Sequence, residues 1–235
     1  MKIIGSLVIV AALALSSCNS THWTKGQAAE LPSVAFASPT RKADGYHKPV
    51  KISPRSSQMG NGIAFASGLA GGFIGGGIGA AVVIGMSSAD QKTFEASNAE
   101  QIGKIETSLD HRIEGAYAKR MEQELKNIPF FANRLRKDSP HVINSIIVRY
   151  GLTRVNNGDP MQFRAVVMVG ATLTGTGGKD LLKGTGASGT SSADGTLDDF
   201  ANNKKFLDKS FLEASQNAAE NFAKVLRTKV EKVEP

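Results

Sequence analysis

MQFRAVVMVGATLT, residues 161–174, decides the fold. Within it Phe163, Ala165, Val167, Val169, Ala171 and Leu173 occupy every second position, so one face of an extended strand is wholly apolar. Upstream, His141 to Val155 repeats the alternation, with Val142, Ile146, Val148, Tyr150 and Leu152 expected on one face. The turn formers Asn156-Asn157-Gly158-Asp159-Pro160 separate the two runs and make them a hairpin. Downstream, Thr176-Gly177-Gly178-Lys179-Asp180 is a second turn, and Leu181 to about Ser191 returns as a third strand poor in side chains. These runs predict an antiparallel three-stranded meander.

Helical patterns flank the meander. Ile102, Ile105, Leu109, Ile113, Tyr117, Met121, Leu125 and Ile128 recur at three- and four-residue steps, most regularly over Ser108–Asn127, and Pro129 closes the run. After a polar stretch, Ser191–Lys205, a closing helix lines up Leu207, Phe211, Ala214, Ala218, Phe222, Val225, Leu226 and Val230. The expectation is a small α+β domain over residues 90–235, with both helices on one sheet face. About 110 residues of it suffice for a single core.

Before this domain the composition changes abruptly. Ser56 to Ala89 holds no charged residue, and its centre, residues 63–86, reads IAFASGLAGGFIGGGIGAAVVIGM. On a helix Ala64, Gly68, Gly72, Gly76 and Ala80 form one smooth ridge at four-residue spacing, and Ser67, Gly71, Gly75 and Gly79 form another. Each glycine costs a helix about 1 kcal/mol in water relative to alanine. In lipid the backbone hydrogen bonds meet no competitor, and small ridges let helices pack closely. The segment 59–89 therefore resembles a glycine zipper that drives self-association. A helix of its 24 central residues would be roughly 36 Å long, enough for one crossing. Gly75-Gly76-Gly77 could instead fold it into a helical hairpin, and a glycine-rich loop or buried soluble segment competes with both.

Residues 18–58 are rich in Ser, Pro, Ala, Lys and Arg and read as an extended, disordered linker with a short strand near Val50–Ile52. Further upstream, Lys2 and an apolar run from Ile3 to Leu15 precede Leu15-Ser16-Ser17-Cys18. That run is too short to span a bilayer and has the layout of a signal peptide, residues 1–17. The sole cysteine after Leu-Ser-Ser resembles the lipobox of bacterial lipoproteins. The resemblance implies cleavage before Cys18 and acylation of its sulfur and amino group, leaving no thiol for a disulfide, metal or nucleophile. Asn19, in place of the aspartate that commonly retains lipoproteins at the inner membrane, implies the outer membrane, with the domain in the periplasm.

The formal charge of +7 is uneven. Residues 18–59 carry six basic and two acidic side chains, whereas 90–141 carries nine of each. A basic tether beside a lipid anchor suits anionic head groups. An extracytoplasmic address and the lack of a binding motif argue against nucleic acid.

Little in the chain suggests catalysis. Gly75-x-Gly77-x-x-Ala80 fits a dinucleotide fingerprint formally but lacks the preceding strand, and Gly178-Lys179 lacks the rest of a phosphate loop. His22, His47, His111 and His141 are expected on the surface, without metal spacing. Asp198-Asp199 fits helix capping. Trp23, near Cys18, fits either the membrane interface or an incidental place in the linker. Lipobox, zipper and α+β domain together resemble glycine-zipper outer-membrane lipoproteins, although here the zipper precedes the folded domain. The resemblance implies a non-enzymatic, homo-oligomeric structural or accessory subunit of an envelope complex, without cofactor or metal. A periplasmic lipid- or peptidoglycan-binding module is the alternative.

Overall fold

A computed structural model describes residues 22–41, 51–53, 88–109, 112–155, 160–182 and 185–233. The expected signal peptide, the lipobox and the glycine zipper lie outside these residues. The described chain is α+β, with five strands and seven helices.

The second strand of the expected hairpin is the best anticipated element. β4, Phe163–Thr172, buries Phe163, Ala165, Val167, Val169 and Ala171, and Leu173 just beyond it, at 4% exposure or less. β3, Val142–Arg154, pairs with it antiparallel, and β5, Thr185–Thr190, pairs with its other edge. Between β4 and β5, Gly178 takes φ 72°, a left-handed turn position that glycine occupies without strain.

The sheet is nevertheless not a three-stranded antiparallel meander. Two strands from before the apolar segment join it, both parallel to β3 and along the same edge. β1, Ala35–Arg41, lies against Val142 to Ile147, and β2, Lys51–Ser53, lies against Gly151 to Thr153. Five strands thus fill four positions in a mixed sheet. The expectation of a disordered linker fails with them, since residues 22–41 and 51–53 are part of the domain. β1 offers no apolar alternation, since Phe36 is its one large apolar residue, and it contains Pro39. The register slips between Ala37 and Thr40 around that proline, which has no N–H and belongs on an edge strand or at a bulge.

β3 itself changes phase. Its register slips between Ile147 and Arg149, leaving Val148 as an extra residue, a β-bulge. Ile143 and Ile147 face the core before it, and Tyr150 and Leu152 after it. Tyr150 and Leu152 therefore sit as expected, whereas Val142, Ile146 and Val148 do not belong to the core cluster.

One sheet face carries the helices. The expected amphipathic helix is two: α3, Ala99–Ser108, stops at Leu109, whose ψ of 105° is extended, and α4, Arg112–Lys126, follows. α2, Ser88–Ser97, precedes them. Ile105, Ile113, Tyr117, Met121, Leu125 and Ile128 are all buried at 2% or less. Pro129 begins a short turn, α5, Pro129–Ala132, after an extended Ile128, as expected of a residue before proline.

The polar stretch before the closing helix holds α6, Leu197–Asn202. Thr196 and Asp199 form its capping box, so one member of the acidic pair caps a helix while Asp198 lies in its first turn. α7, Lys204–Val230, runs alongside α4 in the same direction, as shown by Arg112–Asp208 at 3.1 Å and Arg120–Glu220 at 2.9 Å. It packs onto β5 so closely that a Cβ on Gly189 would sit 2.1 Å from the Ala218 amide nitrogen. Asn217 and Asn221 donate to the carbonyls of Thr190 and Ser188, both at 2.8 Å, satisfying groups that an edge strand leaves open.

Candidate functional site

Leu15, Ser16, Ser17 and Cys18 lie outside the described residues, as do Ala64, Gly68, Gly71, Gly72, Gly75, Gly76, Gly79 and Ala80. The structure shows where those segments are attached to the domain. The upstream attachment is His22 and Trp23, at the C-terminal end of α7. The Trp23 amide donates to the Lys229 carbonyl at 2.6 Å, and His22 Nδ1 lies 2.7 Å from the Thr228 carbonyl. The indole is buried at 3% exposure, edge-on to Phe130 and Phe131 at 5.9 and 6.1 Å, and its Nε1 donates to the Leu181 carbonyl at 3.2 Å. Trp23 is therefore a core residue rather than an incidental one in a linker. α1, Lys25–Ala29, follows at once, with Thr24 and Gln27 forming a capping box. Cys18 is four residues from His22, a reach of at most about 14 Å.

The second attachment is at the other end of the sheet. β2 hydrogen-bonds to Gly151–Thr153, near the end of β3, and the chain departs after Ser53. It is described again from Ser88, in α2, whose Phe94 packs against Phe163 with tilted rings and centroids 5.8 Å apart. Phe163 is the register partner of Arg154, the last residue of β3. Both flanks of the apolar segment are thus fastened to one end of one sheet.

Of the titratable groups, His141 and Tyr117 are buried, Lys229 is half-buried and Glu100 is exposed. His141, expected on the surface, is 7% exposed, with Nδ1 3.1 Å from the Thr174 carbonyl. Burial pushes the Tyr117 phenol well above its ordinary value, opposed by a hydrogen bond of 3.4 Å with Ser145. Burial also holds the Lys229 ammonium below the usual lysine range. Glu100 is lowered by its hydrogen bond and charge pairing with Lys104. Among the described residues no three or more His, Cys, Asp or Glu side chains could hold a metal ion, and no helix is long and apolar enough to cross a membrane.

No known family model matches the chain, and no curated protein or solved structure is similar to it. The expected site residues rest on a local motif, Leu15–Cys18, and on the four-residue spacing of small residues from Ala64 to Ala80. The attachment residues were missed because their importance comes from contacts across 158 to 206 positions of sequence. One local signal did exist: Thr24-x-x-Gln27 ahead of Ala28 is a capping-box pattern, which marks a helix start in a segment read as a linker.

Proposed function

We propose that this protein is a non-enzymatic, lipid-anchored subunit of the bacterial outer membrane, held through Cys18, with its α+β domain in the periplasm. It acts as an oligomeric structural or accessory component of an envelope complex. The lipid anchor rests on Leu15-Ser16-Ser17-Cys18, and the observation that bears on topology is the pairing of β1 and β2 with β3. Residues before and after the apolar segment belong to one sheet, so both its ends stay on the same side of any bilayer. A single crossing is incompatible with that sheet. Insertion from one side, a helical hairpin or burial among copies all fit that constraint, and the glycine ridges would serve contacts between copies.

Lipid anchoring suits the upstream attachment. Trp23 is pinned in the core only five residues after Cys18, so an acylated Cys18 would hold the domain directly against the membrane. The test is metabolic labelling with palmitate in the parent and in Cys18→Ala. The expected result is label and signal cleavage in the parent and neither in the variant. Identical processing and no label in the parent would end the lipoprotein reading. Self-association is tested separately by crosslinking in native membranes. Gly72→Leu with Gly76→Leu should reduce higher oligomers to smaller species, and unchanged ladders would remove the ridges from the argument.

A further inference from the structure

The end of the domain that Trp23 ties together is basic. The Trp23 amide donates to the Lys229 carbonyl near the end of α7, its ring meets Phe130 and Phe131 of α5, and its Nε1 reaches Leu181 just after the β4–β5 turn. Around it, four separate pieces of chain bring exposed cations. They are Lys25 at the start of α1, Arg136 and Lys137 after α5, Lys179 in the turn, and Arg227 and Lys232 at the end of α7. Backbone bonds of 2.8 and 2.9 Å fasten the chain at Arg134 and Arg136 to Val34, and the Thr176 hydroxyl donates to the Glu30 carbonyl at 2.7 Å, so the pieces are held as one surface. The carboxylates here are the exposed Asp138, Asp180 and Glu231 and the half-buried Glu30. Among the described residues none of the six cations is in an ion pair, whereas Lys104, Arg112, Arg120, Arg164 and Lys204 elsewhere each sit against a carboxylate.

We propose that this end of the folded domain is a docking surface for the anionic phospholipid head groups of a membrane. The choice of a membrane as occupant rests on the lipid-anchored reading. Cys18 is four residues from His22, so an acylated Cys18 would keep this same end within about 14 Å of the head groups. Charges are screened over about 8 Å at physiological salt, so cations at this end would feel the phosphates and those at the start of α7 would not. Each Lys or Arg held near an anionic surface adds to the attraction. Spread over four pieces of chain, the six cations suit a plane of phosphates better than a single anion. This is also the end where β3 begins and β4 finishes, so the strands would run away from the membrane.

The experiment uses the full chain with Cys18→Ser, so that no acyl chain is attached. Its affinity is measured for vesicles of phosphatidylcholine alone and for vesicles in which about one quarter is phosphatidylglycerol. The ratio of the two affinities removes whatever the apolar stretches contribute equally to both. The parent is expected to prefer the anionic vesicles, with the preference falling as salt rises. Arg136→Glu with Lys137→Glu should cut that preference at least about tenfold. Lys205→Glu with Lys209→Glu makes the same change of charge at exposed positions about 30 Å of helix away, and should alter it by less than about threefold. Equal losses in the two variants would reduce the effect to net charge and overturn the proposal. So would no loss in the first variant, or no preference in the parent. Should the first variant lose its native circular dichroism, Lys25→Gln with Lys179→Gln takes its place, and there a loss of at least about threefold is expected and an unchanged preference would refute it. None of these outcomes depends on acylation, which palmitate labelling tests by itself.

Discussion

The chain before the apolar segment and the chain after it build the same sheet from unequal material. Residues 88–233 hold a long strand pair, a 27-residue helix and most of the core. Residues 22–53 supply two parallel edge strands, one short helix and a few core side chains, Trp23, Leu31 and Val34 among them. The later piece is recognisable by pattern, while the earlier one earns its place through contacts with distant residues. A domain can therefore be divided by an uncharged, glycine-rich segment and still close, provided the smaller piece has an anchor at one end and an edge to pair with.

The sharpest way to break this comparison is Trp23→Ala. If the earlier piece were a tether, the substitution would leave stability unchanged. Because the indole fills the space beside Phe130 and Phe131 and donates to Leu181, we expect a loss of about 3–5 kcal/mol. Thermal unfolding should show a midpoint lower by about 10 °C. A midpoint within a degree of the parent's would return residues 22–53 to the status of linker.

A substitution in the later piece gives the next largest effect. In Gly189→Ala the new methyl would meet the Ala218 nitrogen at 2.1 Å and the Ala214 carbonyl oxygen at 2.3 Å, and backbone cannot step aside as a side chain can. α7 must lift from β5, weakening the bonds from Asn217 and Asn221, at a cost of about 2–3 kcal/mol. Gly103→Ala and Gly115→Ala meet nothing within 4 Å and should be neutral or slightly stabilising in chemical denaturation. Equal behaviour of all three would show that the close helix–strand approach is not required.

How much was legible follows the same division. β4 could be read residue by residue, because its core face has an uninterrupted period of two. β3 could be read only in part, since one inserted residue at Val148 reverses the phase and a constant-period pattern cannot anticipate it. β1 could not be read: Pro39 breaks its register, and its stability comes from pairing with residues about a hundred positions later. The break at Leu109 left the apolar spacing of α3 and α4 intact, so periodicity ran through it unmarked. For the candidate site, composition identifies the apolar segment, but that both its ends belong to one sheet is information held only in long-range pairing.

The smallest expected effect lies where the two pieces meet. The Tyr117 ring of α4 faces Phe36 of β1, with centroids 6.4 Å apart, and its hydroxyl touches only the long hydrogen bond to Ser145. Tyr117→Phe keeps the ring and removes that bond, so at neutral pH it should cost about 1 kcal/mol or less. Its signature is in alkali. Burial raises the folded-state pKa above the ordinary 10.0, so the proton is held more tightly in the folded chain than in the unfolded one. Between those two values the unfolded chain binds fewer protons, and stability falls as pH rises. The contribution is fully present below pH 10 and is lost progressively above it. Urea midpoints of the parent should accordingly drop from about pH 10 upward more steeply than those of Tyr117→Phe, and the two curves should converge or cross. Parallel curves would mean that the phenol reaches water in the folded protein, and that β1 does not seal this part of the core.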